Sequence, residues 1–153
     1  MALTIESNNI DAIDSRILQE MQADARISMS ELGRRIHLSQ PAVKERVRRL
    51  MDLGVIRGFH ADLDMTRLGY AIRAVVRVTA TGNEDRRWLE ILDEIDEVVE
   101  CYSVTGEDSF VVKVIAKSVE HLDQVIERLS AIGKPTTSII LQEIERPMKL
   151  TTE

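Results

Sequence analysis

The stretch SMSELGRRIHLSQPAVKERVRRLMDLG, residues 28–54, decides how the first part of the chain folds. Ser28 followed three residues later by Glu31 is a capping-box pattern, in which a hydroxyl and a carboxylate satisfy two of the free N–H groups at a helix start. Leu32 and Ile36, one turn apart, supply the inward stripe of a short helix. The break at His37-Leu38 is brief. Ser39 can cap a further helix, Pro41 is tolerated in its first turn, and Val43, Val47, Leu50 and Met51 form its apolar side before Gly54 provides a left-handed stop. Working outward, Ile10, Ile13, Ile17, Leu18 and Met21 recur at helical spacing, with Asp11 and Asp14 where a helix N-terminus favours negative charge. This predicts a preceding helix that ends near Ala23. Three helices, the last two joined by a tight turn, make a helix-turn-helix.

Beyond Gly54 the pattern changes. Val55 to Leu63 is short and extended, and Asp64 to Gly69 is turn-like, so 55–70 reads as a linker. Ala71 to Thr79 alternates as a strand does, Trp88, Ile91, Leu92 and Ile95 follow helical spacing, and Val98–Val104 and Phe110–Ala116 are two more strands. Ser118 caps a helix carrying Val119, Leu122, Val125, Ile126, Leu129 and Ile132 that Gly133 stops, and Ser138 to Ile144 closes the series as a strand. The order β-α-β-β-α-β is that of a ferredoxin-like fold, with two helices over one face of an antiparallel sheet. The predicted class is α+β: a helix-turn-helix domain at 1–54 and a ferredoxin-like domain at 71–153. The uncovered sheet face, with Val75, Val111, Lys113 and Ile115, is more apolar than a solvated face normally is. Such a face marks an interface, which predicts a homodimer through the C-terminal half.

The whole chain of 153 residues, 44% apolar, carries a net charge of −6 and a pI near 5.2, which taken alone argues against a nucleic-acid partner. The average conceals an asymmetry. Residues 1–60 hold nine Lys and Arg against eight Asp and Glu, whereas 61–153 hold eleven against eighteen. Between Arg34 and Arg49 the basic residues are Arg34, Arg35, Lys44, Arg46, Arg48 and Arg49, with Glu45 the single acid. In a helix-turn-helix the second helix of the motif enters the major groove. With its buried stripe centred between Val43 and Val47, that helix turns Pro41, Lys44, Glu45, Arg48 and Arg49 away from the core. Gln40 can pair bidentately with adenine, Lys44 and Arg48 suit guanine or phosphate, and Ser39 can both cap the helix and bind phosphate. Arg46 lies closer to the core edge, where a structural or backbone-positioning role fits. The expected partner is double-stranded DNA, although a basic helix face is also what many solvated helices show.

A second candidate site combines the loop Thr105-Gly106-Glu107-Asp108 with Thr136-Thr137-Ser138 at the start of the last strand. Gly106 permits close backbone approach, Asp108 can pair with an ammonium, and three hydroxyls with nearby N–H groups can hold a carboxylate. A glycine turn and a Thr/Ser-rich strand start explain the same residues without a ligand. Nothing suggests an enzyme, a metal or a cofactor. His37, His60 and His121 are scattered without metal-type spacing, Cys101 is a lone cysteine in a strand, and no Gly-rich phosphate loop is present. A single cysteine, no signal-peptide pattern and no apolar run near the ~18 residues of a membrane span lead to the expectation of a cytoplasmic protein.

Leu38-Ser39 through Arg46-Val47-Arg48-Arg49-Leu50, then Gly54-Val55-Ile56-Arg57-Gly58-Phe59, Ala61 with Leu63-Asp64, and Leu68-Gly69 resemble the head and linker of the leucine-responsive/AsnC family of feast/famine regulators. Val104-Thr105-Gly106-Glu107-Asp108 and Thr136-Thr137-Ser138-Ile139 resemble the sensing half of the same family. The resemblance runs from about Ile10 to about Ile144. It implies a transcription regulator, dimers through the ferredoxin-like domain that assemble into larger rings, often octamers, and an amino-acid effector held between sensing domains at Thr105, Gly106, Asp108, Thr136, Thr137 and Ser138. Two positions depart from the family pattern: Met65 stands where proline is common, and Ser109 stands where an acid often follows the loop glycine, with Glu107 and Asp108 just before it. A DNA-wrapping protein with no effector, or a metabolite-binding module without DNA binding, would share parts of this pattern.

Overall fold

The computed structural model describes residues 3–4, 9–80, 87–144 and 150–151. A two-residue strand β1 (Leu3–Thr4) precedes α1 (Ala12–Ala23), α2 (Met29–Ile36) and α3 (Gln40–Asp52). Asp11 caps α1. Its carboxylate accepts from the N–H of Asp14 at 2.8 Å, while the Asp14 carboxylate accepts from the N–H of Asp11 at 3.2 Å, a capping box made of two aspartates. Ser28 caps α2 by accepting from the N–H of Glu31 at 3.1 Å, but the reciprocal half of that box is not formed. The Glu31 carboxylate instead takes Arg34 and Arg35 at 2.8 to 2.9 Å, because bonds from two guanidinium groups outweigh one neutral N–H.

The turn between α2 and α3 depends on Gly33. The N–H of Leu38 donates to the Gly33 carbonyl at 2.9 Å, and a Cβ on Gly33 would lie 2.5 Å from the Leu38 carbonyl oxygen. His37 closes the turn in the left-handed region at φ 60. Ser39 then caps α3, and Gly54 at φ 71 ends it. Ile17, Leu32, Val43 and Leu50 are fully buried, with Leu18, Met21, Ile27, Ile36 and Val47 around them. Met51, predicted on the buried side, is 46% exposed, since it lies one residue round the helix from the Val43, Val47, Leu50 stripe.

The second body holds β2 (Ile72–Ala80), α4 (Arg87–Asp93), β3 (Val98–Ser103), β4 (Phe110–Ala116), α5 (Val119–Leu129) and β5 (Gly133–Ile139), and a last strand β6 (Leu150–Thr151) follows. The sheet runs β3-β4-β2-β5, antiparallel throughout, which is the α+β ferredoxin-like arrangement predicted from the order of elements. Ala74, Val76 and Val78 of β2 and Val112 and Val114 of β4 form the covered face with Leu92 of α4 and Leu122, Val125 and Leu129 of α5. No helix among the described residues is long and apolar enough to cross a membrane.

Three expectations change. The last sheet strand begins at Gly133, where Ser138 was predicted: α5 ends at Leu129, and at Gly133 the chain runs so close to β2 that a Cβ would meet the Thr79 carbonyl oxygen at 2.3 Å. The open sheet face is only partly apolar. Val75 and Val111 are half-buried and Ile115 only 7% exposed, while Lys113 pairs with Glu143 at 2.8 Å and Glu100 at 3.5 Å, and Glu143 also takes Arg73. A bulge between Val98 and Glu100 sets Glu100 opposite Lys113 and creates this pairing. Finally, the chain forms two compact units, one reaching from the N-terminus through Ala61 and including β6, the other spanning Asp62–Glu143. The C-terminal end of the predicted 71–153 domain therefore groups with the head, where β6 pairs with β1 in parallel, and the 55–70 linker divides between the two.

Candidate nucleic-acid interface and effector loop

On α3 the side chains of Gln40, Pro41, Lys44, Glu45 and Arg48 are exposed and follow one another up a single face. Ser39 just before them is exposed too, its hydroxyl accepting from the Ala42 N–H at 3.4 Å. The charges on this helix are not equally available. Arg48 pairs with Glu45 at 2.8 Å, both side chains about two-thirds exposed at 68% and 65%, a weak surface pair easily exchanged for a phosphate. Lys44 has no ion pair among the described residues. Glu45 is held below the usual carboxylate range by its hydrogen bond from Arg48.

Arg46 and Arg49 turn the other way. Arg46 donates to Asp14 Oδ1 and to Asp11 Oδ2, each at 2.8 Å, and Arg49 Nη2 lies 2.5 Å from Asp14 Oδ2. Arg46 sits at the core edge, 28% exposed, where the helical wheel puts it. Arg49, read from the same wheel as part of the outward set, is tied instead to a carboxylate of α1. Helical spacing alone underestimates this pull, because the wheel carries no information about a neighbouring helix. Asp14 was legible only as an acid in a helix start. The matching signal, two acids three apart on α1 and two arginines three apart on α3, lay in the sequence unconnected.

In the second body, Gly106 adopts φ 120, so the loop after β3 needs glycine there. Thr105 and Gly106 are exposed, and Asp108 is half-buried, its Oδ1 accepting from the Thr79 hydroxyl at 3.4 Å and its Oδ2 3.9 Å from Arg77 Nε. Thr136 stands opposite Arg77 across β2 and β5, and Ser138 opposite Val75, both on the open face. Thr137 pairs with the buried Val76 and so belongs to the helix-covered face. The three hydroxyls therefore lie mid-strand on alternating faces and do not converge on one carboxylate. Arg77 lies between Asp108, 3.9 Å away, and Thr136, its cross-strand neighbour, while Thr105 and Gly106 lie in the loop that carries Asp108. That arginine and Thr79 were not singled out from the sequence, and Ser109, noted there only as a departure from the family pattern, accepts through its hydroxyl from the Ala80 N–H at 3.1 Å.

The histidines stay apart. His121 bridges from α5 to Glu97 at 2.9 Å and accepts from the Lys117 N–H at 3.1 Å, a packing role. Burial pushes the Cys101 thiol up, away from reactivity.

Comparison with known proteins matches residues 10–51 to the AsnC-type helix-turn-helix domain and residues 73–150 to the Lrp/AsnC ligand binding domain. Among relatives, the HTH-type transcriptional regulator LrpC of Bacillus subtilis is 32% identical over 89% of this chain and 94% of its own. The regulator Ptr1 of Methanocaldococcus jannaschii is 36% identical over 76% of this chain and 79% of its own. The solved structure of LrpC superposes with a TM-score of 0.84, covering 89% of this chain and 97% of that one. A feast or famine regulatory protein from M. tuberculosis, solved in complex with L-methionine, superposes at 0.82 with 34% identity, covering 89% and 95%. These relatives are named transcriptional regulators, and the chain, which matches both family domains in order, belongs to the Lrp/AsnC family of DNA-binding regulators, with a helix-turn-helix head and a ligand-binding domain.

Proposed function

We propose that this chain is a sequence-specific regulator of transcription that reads double-stranded DNA with α3 and whose assembly or DNA affinity responds to a small effector, an amino acid. One observation carries the DNA half: Lys44 and Arg48, with Gln40 one turn before, face outward on a helix whose remaining arginines are held inward by Asp14. Ser39, Pro41 and Glu45 complete the contacting face, and Gln40 is placed to pair with a base edge. The double variant Lys44→Ala with Arg48→Ala should lose DNA retention in a gel-shift assay while keeping its thermal midpoint. Unchanged retention would remove the assignment.

The effector half rests on the loop around Gly106. Asp108 and Thr136 flank Arg77, a set that offers both signs of charge to a zwitterion. A relative of the same fold is solved with L-methionine. Gly106→Trp should leave the head folded and alter either ring assembly or its response to amino acids, measured by light scattering. An assembly and response like wild type would exclude this loop. A second reading, a DNA-binding protein with no effector, draws on the fact that Asp108 is already engaged by Thr79 and Arg77, so an incoming ammonium must compete. Thermal shift against a panel of amino acids separates the two. Homodimers through the ferredoxin-like domain, built up to octamers in the cytoplasm, would supply the apolar partner that Tyr102, Ile139 and Leu141 lack, Leu141 being 95% exposed.

A further inference from the structure

Asp14 is the one fully buried charged side chain among the described residues. Both of its oxygens are spent: Oδ1 on Arg46, Oδ2 on Arg49 and on the N–H of Asp11. It stands in the first turn of α1, where the helix start also favours an anion. Its two partners are three apart on α3, on the flank between the buried stripe of Val43, Val47 and Leu50 and the outward face of Lys44 and Arg48. Apolar packing along the stripe is non-directional and tolerates a small roll of the helix. Two charge-assisted hydrogen bonds on successive positions of one flank do not, because they are directional and buried at their acceptor.

We propose that Asp14 is a positioning residue for base reading: it fixes the rotation of α3 about its own axis, so that Gln40 and Arg48 are presented at one defined angle. This rests on the DNA-reading role argued above. At a helix radius of about 5 to 6 Å, a roll of ~20° shifts a side-chain tip by about 2 Å, enough to undo a bidentate contact to a base edge. Contacts to phosphate tolerate such a shift, since a flexible lysine or arginine can follow a point charge.

Three roles for Asp14 give three different outcomes in Asp14→Asn. If the residue only stabilises the head, the thermal midpoint falls and the folded protein binds DNA as wild type does. If only its charge matters, the head becomes more positive, two guanidinium groups are released beside α3, and binding tightens on every duplex. A positioning role predicts a divergence: affinity for a preferred duplex falls about tenfold or more, while affinity for a shuffled one stays or rises.

The experiment uses the full chain. Wild type selects its tightest duplex from a random-sequence pool, and fluorescence anisotropy then measures binding to that duplex and to a shuffled copy over a range of KCl, below the melting temperature of every variant. Arg49→Gln, at a position that is partly exposed, provides a second variant should Asp14→Asn fail to fold. It should show the same fall in preference with the salt dependence unchanged, because no phosphate contact is lost. A salt slope lower by about one per head would make Arg49 a phosphate contact and overturn the proposal. So would a wild-type preference ratio in whichever variant folds. Wild type that enriches no duplex would overturn the DNA-reading conclusion itself, a failure distinct from that of Asp14.

Discussion

Between Arg34 and Arg49 every arginine is committed to a carboxylate, and Lys44 is the basic side chain left without an ion pair among the described residues. A tally of charge along the sequence therefore overstates the phosphate footprint of the head. Lys44→Ala should weaken binding evenly across sequences and reduce the slope of log affinity against log salt by about 0.9 per head, with the urea midpoint unchanged. Glu45→Gln acts in the opposite direction. Removing the carboxylate that competes for Arg48 should tighten binding to a shuffled duplex by roughly 1.5- to 5-fold, the size of an exposed ion pair, as measured by anisotropy. A third consequence concerns acid. Hydrogen bonds from Arg34 and Arg35 hold the Glu31 carboxyl down to about 2 from an ordinary 4.5. Its folded form binds the proton less readily than its unfolded form, so the stabilisation is complete above about pH 4.5 and is lost as pH falls toward 2. Glu31→Gln should flatten that part of the head's stability curve, seen as urea midpoints recorded at about pH 5 and pH 3.

At the scale of elements, the close approaches that set the geometry are backbone ones. Gly133→Ala would push a methyl group into the Thr79 carbonyl oxygen and Ala80 Cα, at 2.3 and 2.8 Å, neither of which is the end of a flexible side chain. It should destabilise the ferredoxin-like body by about 1 to 3 kcal/mol, as overpacking does, measured by urea unfolding. The same position shows where sequence patterning stops. Apolar periodicity marked α1, α3, β2, β4 and the α5 stripe, since each buries one face in a core. It could not tell that Gly133 opens a strand and does not close a helix, because that depends on how near β5 lies to β2. Three Thr and Ser side chains in a row looked convergent in one dimension, and the alternation of β5 separates them. On α3 the wheel marked Arg49 as outward but could not register Asp14, with which Arg49 pairs while its side chain stays 43% exposed. Apolar stripes were legible, whereas polar pairings between elements far apart in sequence were not.

The described residues form two hydrophobic cores that share no residue, one enclosed by α1, α2 and α3, the other by the sheet with α4 and α5. Each core is closed by its own elements, so damage to one should remain there. Leu50→Ala removes a fully buried side chain from the head and should cost about 2 to 5 kcal/mol, and Val112→Ala, also fully buried, should lower the stability of the ferredoxin-like body by a smaller amount. Hydrogen exchange, which reports opening region by region, should show protection lost on α1 to α3 in the first variant and on β2, β4 and α5 in the second. Loss across both bodies from either variant would mean that they fold as one. The outcome bears directly on control of DNA binding. If the bodies are independent, a ligand at the Gly106 loop cannot act by tightening a common core. It can change DNA affinity only by preferring one arrangement of heads over another, and its effect is then limited to the difference in its affinity for the two. A mixed assembly carrying Gly106→Trp in some subunits should on that account lose effector response in proportion to the loops disabled, while each isolated head keeps the salt dependence set by Lys44.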